Sequence, residues 1–245
     1  MTGPTTPRTC GEELLLARIS AAAGRARLGK RLATYVATAY RPRTRAGLYR
    51  AVRRLSARGP DGRYRAAGAK PNARLDLYEG GMTVSVKGRI HIVRYDTTMV
   101  FRRSSRSRGP SPFDTALIHT LTDVERKRVV LHANPEGGDA DAWQHELRRA
   151  VTRAQLPAAL AALYRGERVS FAGVWLTTEH VGFRELCLPL RRVQRIGTRE
   201  GFLTVTVGGR RYRLGPEVSG IPNVFVLRAL VEHCRAGGKD ATGGG

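Results

Sequence analysis

The stretch Leu203-Thr-Val-Thr-Val207, Gly208-Gly209, Arg210-Arg-Tyr-Arg-Leu214 leaves the backbone little choice. Apolar and polar residues alternate on both sides of paired glycines, the pattern of two antiparallel strands joined by a two-residue turn. That turn sets Val205 opposite Tyr212 and Leu203 opposite Leu214 on one face. Thr204, Thr206, Arg211 and Arg213 then face the other way. A slip of one residue would carry the whole apolar set into water, so the register is fixed. The apolar face needs a second layer, and a helix predicted from Pro222 or Asn223 to Arg235 supplies it.

The same plan is legible elsewhere. Val181 and Phe183 pair with Leu186 and Leu188 across a tight turn at Arg184-Glu185, and a strand at Val193–Ile196 follows. Upstream, Met82 and Val84 alternate with Thr83 and Ser85, and Ile90 and Ile92 with Arg89 and His91. A three-residue turn at Val86-Lys87-Gly88 pairs Val84 with Ile90 and Met82 with Ile92, with Gly88 left-handed. A two-residue turn would set Val84 against His91 and is rejected on the premise of one buried face. Strands are predicted at Thr98–Arg102, Thr115–Thr122 and Arg128–His132. A helix capped by Asp139 or Asp141 follows, with Trp143, Leu147, Ala150, Val151 and Ala154 on one stripe. Pro157 restarts or kinks it and Gly166 ends it. Leu77-Tyr-Glu-Gly-Gly-Met82 aligns loosely with Leu176-Thr-Thr-Glu-His-Val181. A period of about 90 residues suits duplicated domains rather than a solenoid.

The N-terminus reads as helix. Thr9 with Glu12 forms a capping box, Leu15, Ile19, Ala22 and Ala23 follow at helical spacing, and Leu28, Leu32, Tyr35 and Val36 resume it. The expected class is α+β. It comprises an N-terminal helical segment (1–40), a basic flexible insert (41–72), two β-barrel or sandwich domains each closed by a C-terminal helix (73–166 and 167–238), and a disordered tail (239–245).

Charge is the main functional signal. The formal net charge is +23, which attracts phosphate-rich partners. Only five of the 43 basic residues are Lys, a skew that GC-rich codon usage also produces. The charge is concentrated. Residues 41–74 hold ten Arg and Lys70 against one acid, Asp61, and include Arg50, Arg53 and Arg54. Arg102, Arg103, Arg106 and Arg108, with three interleaved Ser, read as a mobile loop able to hold phosphate. Lys87 and Arg89 lie on and just after a hairpin tip, and a solvated tip is the competing reading. Tyr40, Tyr49 and Tyr64 are the aromatics near the insert that stacking on nucleic acid would use.

Other chemistry finds little support. Cys10, Cys187 and Cys234 are odd in number and widely spaced, against a disulfide framework or a zinc site and in keeping with a reducing cytoplasm. His119 and His132 flank one predicted hairpin out of register, and the other four His are isolated, so structural or solvated roles are expected. Paired glycines at 80-81, 137-138, 208-209 and 237-238 are turn or cap chemistry, not nucleotide loops. No catalytic residues, metal or cofactor are expected. No stretch has the roughly 18 apolar residues of a spanning helix, and Leu14-Leu-Leu16 follows two glutamates rather than the basic start of a signal peptide.

The strings Leu75-Asp-Leu-Tyr-Glu-Gly-Gly-Met82, Lys87-Gly-Arg-Ile-His-Ile-Val-Arg-Tyr-Asp-Thr-Thr98, Gln155-Leu-Pro-Ala-Ala-Leu160, Val174-Trp-Leu-Thr177 and Ile221-Pro-Asn-Val-Phe-Val-Leu-Arg-Ala-Leu230 resemble an uncharacterised family of actinomycete proteins with tandem pleckstrin-homology-like (PH-like) domains. The resemblance covers residues 9 to 40 and 73 to 236, and the insert departs from it. It implies two PH-like domains and carries no activity. PH-like domains elsewhere bind phosphoinositides, phosphopeptides or protein strands, so fold alone does not choose.

The expectation is a non-enzymatic binding or scaffolding protein, cytoplasmic and peripheral at the inner membrane face. Its partners would be anionic lipid headgroups or an acidic or phosphorylated partner. Two alternatives stand beside it: a nucleic-acid-associated protein without sequence preference, acting through the basic insert, and a protein–protein adaptor. The N-terminal helix either inserts Leu15, Ile19, Leu28 and Leu32 into a membrane or packs on the first sheet.

Overall fold

The computed structural model describes residues 10–40, 72–106, 115–132 and 140–240. They form a mixed α+β fold with three helices and one large and two small antiparallel sheets. Helix α1 (Cys10–Arg25) opens it, with Glu12 and Glu13 near its positive end and Arg25 in the last turn. It stops there. Arg27 (φ 53°) and Gly29 (φ 82°) are left-handed and turn the chain into β1 (Arg31–Tyr40), so the predicted helical continuation through Leu28–Val36 is corrected. Its apolar residues mislead because Leu32 and Val36 are exposed on a strand that pairs on both sides. Of the two readings for α1, packing is the observed one: Ile19, Ala23 and Leu28 are buried, the last two against Tyr78.

Strand β1 joins two meanders. Its first part pairs with β2 (Ala73–Tyr78), which continues through β3 (Gly81–Val86) and β4 (Arg89–Arg94). Its last residues, 38–40, pair with β7 (Arg128–His132), preceded by β6 (Thr115–Thr122) and β5 (Val100–Arg106). The resulting order is β4-β3-β2-β1-β7-β6-β5. The sheet is open, with β4 and β5 at its ends, so the expected barrel closure is not what forms. The residues predicted as a mobile loop from Arg102 are also corrected. Arg102, Arg103 and Arg106 lie in β5, in register with His119, Ile118 and Thr115.

The β3–β4 register is a second correction. A two-residue turn at Lys87-Gly88 sets Val84 against His91, Met82 against Val93 and Thr83 against Ile92. Lys87 (φ 49°) and Gly88 (φ 71°) are both left-handed, the geometry whose twist suits a two-residue hairpin. The premise that failed is the single buried face: every residue of β3 is buried. His91 is accommodated because its Nδ1 lies 2.8 Å from the Asp123 carboxylate, itself buried.

Helix α2 (Ala140–Tyr164) follows as one helix that contains Pro157, and Gly166 (φ 82°) lies just past its end. Asp139 lies outside the described residues. Trp143, Leu147 and Val151 are buried as the stripe predicts. Then come β8 (Val169–Phe171), β9 (Val174–Leu176), β10 (His180–Phe183) and β11 (Leu186–Pro189) in one sheet. A second sheet holds β12 (Val193–Arg199), β13 (Phe202–Val207) and β14 (Arg210–Glu217), and α3 (Val224–Asp240) follows them. Phe183 faces Leu186, Val181 faces Leu188 and Val205 faces Tyr212, as the sequence pattern requires. The predicted Leu203–Leu214 pair falls at an irregularity between Phe202↔Glu217 and Thr204↔Arg213, with both leucines fully buried.

The halves share one contiguous apolar core that includes Leu75, Val84, Trp143, Leu176, Leu214 and Leu227. Asn223 (φ 48°) pins the seam. Its Oδ1 accepts from Val100 N–H at 2.8 Å, and its Nδ2 donates to Thr98 C=O and Gln155 Oε1 at 2.8 Å each. Its own N–H donates to Val100 C=O at 2.9 Å.

Candidate anion-binding site

Two groups of cations emerge. The first is the β3–β4 tip. The two-residue turn projects Lys87 and Arg89 into solvent. Helix α1 contributes to the same end, since Arg18 donates from its guanidinium to Gly88 C=O at 3.2 Å. One turn earlier on that helix, Leu14 is 62% exposed. Among the described residues no carboxylate lies within ion-pair distance of Arg18, Lys87 or Arg89.

The second group gathers at the seam. Successive strand residues point to opposite faces, so neighbouring Arg102 and Arg103 diverge: Arg103 is exposed and Arg102 half-buried. Arg102 sits opposite His119 on β6. The His119 ring meets Trp143 of α2 edge to face, at 5.3 Å between centroids. Arg148 of α2 and Arg228 of α3 complete the group, and both bias Arg102 electrostatically. Burial, then Arg148, then Arg228 lower the Arg102 pKa, and no carboxylate offsets them. His119 is 1% exposed, and burial with the Arg102 and Arg148 charges pushes its pKa down to about 3, so the ring is neutral at physiological pH. Among the described residues neither of its nitrogens has a hydrogen-bond partner. Arg228 donates to Ile196 C=O at 3.4 Å.

Of the nine residues singled out from sequence, Lys87, Arg89, Arg102 and Arg103 are described in full. Arg106 is placed in β5, and Arg108, Arg50, Arg53 and Arg54 lie outside the described residues. Arg102 does not cluster with its sequence neighbours but with Arg148 and Arg228. Sequence reasoning missed both. Each lies beside a core position of an amphipathic helix, Leu147 and Leu227, and only helix docking brings them to Arg102.

The remaining polar sites are structural. Asp123 holds His91 and also accepts from Glu125 N–H at 3.0 Å and Lys127 N–H at 2.7 Å, which ties down the β6–β7 turn. Asp76, fully buried, accepts from Thr34 and Arg74. A cleft of about 310 Å³ between β1, β2 and α2 is lined by Tyr35, Tyr78, Tyr95, Glu146 and Arg153, among others. The described residues contain no group of three His, Cys, Asp or Glu placed to hold a metal. None of their helices is long and apolar enough to cross a membrane.

Residues 66–239, which include the first-half strands from β2 onward and the whole seam cluster, match the model of a family of unknown function, DUF6585. The chain belongs to that family. The DUF6585 match takes in Lys87, Arg89, Arg102, Arg148 and Arg228, while Leu14, Arg18 and strand β1 precede it. Among curated proteins none matches the chain.

Proposed function

We propose that this DUF6585 protein is a non-enzymatic binding or scaffolding protein that attaches to the anionic inner face of the cell membrane through the α1 and β3–β4 end. The single observation behind this is the Arg18–Gly88 hydrogen bond. It draws α1 to the hairpin tip, so that Arg18, Lys87 and Arg89 share one end with the exposed Leu14. Each cation near an anionic leaflet contributes on the order of 1 kcal/mol. Burying one leucine adds about 2 kcal/mol. The sum of about 5 kcal/mol corresponds to a dissociation constant of roughly a few tenths of a millimolar, which is reversible attachment.

A pair of PH-like units is part of this reading. In each half a four-strand meander is followed by a three-strand meander and then a helix: β1–β4, β5–β7 and α2, then β8–β11, β12–β14 and α3. This repeated element order supports a duplication. PH-like folds that bind lipid commonly use a basic hairpin tip.

The test is flotation with vesicles containing phosphatidylserine against vesicles of phosphatidylcholine alone. The full chain is expected to float with the anionic vesicles and to lose recovery as salt rises. The double variant Lys87→Glu, Arg89→Glu is expected to abolish flotation, and Leu14→Ser to weaken it. Equal recovery on both vesicle types would overturn the proposal.

A further inference from the structure

We infer that Arg102, Arg148 and Arg228 form a second site, distinct from the hairpin tip, which binds a phosphate group at the seam between the two halves. The geometry rests on direct contacts. Asn223, at the start of α3, bonds both backbone groups of Val100, two residues before Arg102. This fixes α3, and with it Arg228, over β5. Arg102 pairs across strands with His119, and His119 touches Trp143, which lies on α2 five residues before Arg148. Three elements from both halves therefore deliver three guanidinium groups to one place.

What they lack is an acid. Among the described residues none of the three is in an ion pair, and the only hydrogen bond any of these guanidinium groups makes is Arg228 to Ile196 C=O. Arg102 is half-buried, and a cation partly removed from water needs a counter-charge or hydrogen bonds in return. Three like charges held together by helix docking also repel one another. A phosphate answers both deficits. Its oxygens accept from guanidinium forks, and its charge reverses the local imbalance.

His119 supplies an independent pointer. It is a buried polar ring on the same sheet face as Arg102, with both nitrogens unpartnered among the described residues. Being neutral, it offers one N–H donor and adds no fourth charge. The ligand class is a phosphate monoester or pyrophosphate, either as a soluble molecule or as a phosphorylated lipid headgroup. Occupation would tie β5 and α2 to α3, and so link ligand binding to the stability of the seam.

The test is thermal unfolding and titration calorimetry of the full chain with sodium pyrophosphate, against sodium chloride at equal ionic strength. A saturable rise in Tm specific to pyrophosphate is expected. Arg102→Gln and Arg228→Gln should each weaken binding at least about tenfold. Arg102→Gln should also raise Tm when no phosphate is present, because repulsion is relieved. If one variant fails to fold, the other carries the test. The tip variant Lys87→Glu, Arg89→Glu should bind pyrophosphate normally, so failure of membrane attachment and failure of this site are told apart. Soluble inositol trisphosphate against vesicles containing its parent lipid then separates the two sources of the phosphate. Equal stabilisation by chloride, or a pyrophosphate response unchanged in Arg102→Gln and Arg228→Gln, would overturn the inference.

Discussion

The two halves run through similar element orders and yet are built on different interiors. In the first half, Thr38, Asp76, Thr83, Ser85, His91, Thr98, His119, Asp123, His132 and Gln144 are all buried. In the second, the buried polar side chain among the described residues is Asn223, and its bonds reach back to Thr98, Val100 and Gln155. The difference follows from coverage. The large sheet is buried on both faces along β3, with α1 against β3 and β4 on one side. The strand pair β12 and β13 keeps alternate residues in water. A two-faced sheet must bury polar groups, and each then needs a partner or carries a penalty. The first half is therefore the one sensitive to charge and protonation, and the second the one whose pattern is simple.

Three experiments sharpen or break this contrast. The largest effect is expected at the one polar contact the halves share. Asn223→Ala strips partners from Val100 N–H, Thr98 C=O and Gln155, and places a β-carbon residue without a local bond at φ 48°. A loss of about 4 kcal/mol is expected in urea unfolding. A loss under about 1 kcal/mol would mean the seam does not join the halves energetically.

Acid comes next. Burial holds His119 down to about 3 and His132 down to about 4. An unfolded histidine takes up its proton near pH 6.5. Between those values the unfolded chain binds more protons, so stability falls as pH drops from about 6.5 toward 4 and rises again with pH. The slope is up to about 1.4 kcal/mol per pH unit for each histidine, for a combined loss of about 3 kcal/mol by pH 5. Paired with buffer-matched denaturation curves, His119→Leu should flatten that slope. His180 and His233, neither of them buried, should leave it unchanged when replaced by Gln. A pH-independent wild type would remove the contrast between the interiors.

The smallest effect concerns the turns, where the halves should agree. Gly88 (φ 71°) and Gly209 (φ 76°) are exposed second residues of two-residue turns, and a β-carbon added at either would enter open space. Gly88→Ala and Gly209→Ala should each cost about 1 kcal/mol in thermal or urea unfolding, through backbone strain alone. A markedly larger cost at one of them would show that its turn is braced by tertiary contacts.

The same contrast explains which parts of the fold are legible in the sequence. The β10–β11 and β13–β14 pairings are legible because a single buried face makes period-two alternation decisive. The α2 stripe of Trp143, Leu147 and Val151 is legible for the analogous helical reason. Where both faces are covered, alternation stops carrying register, and the Lys87-Gly88 turn misleads for that reason. Strand β1 mimics a helix because Leu32, Tyr35 and Val36 also fit a period near four, and nothing local announces its partners β2 and β7. Of the candidate site residues, Lys87 and Arg89 are legible because a hairpin tip is a local object.

From its residues alone, then, the chain determined its α+β class, most strand positions, the glycine-bearing turns, the helices that close each half and the excess of arginine, since all of these follow from short-range periodicity, backbone conformation and composition. Tertiary structure alone decided the bridging role of β1, the His91–Asp123 pairing, the Asn223 seam and the meeting of Arg102 with Arg148 and Arg228. Those features join residues far apart in the chain, and such contacts form only when the packed core fixes which faces of distant elements come together.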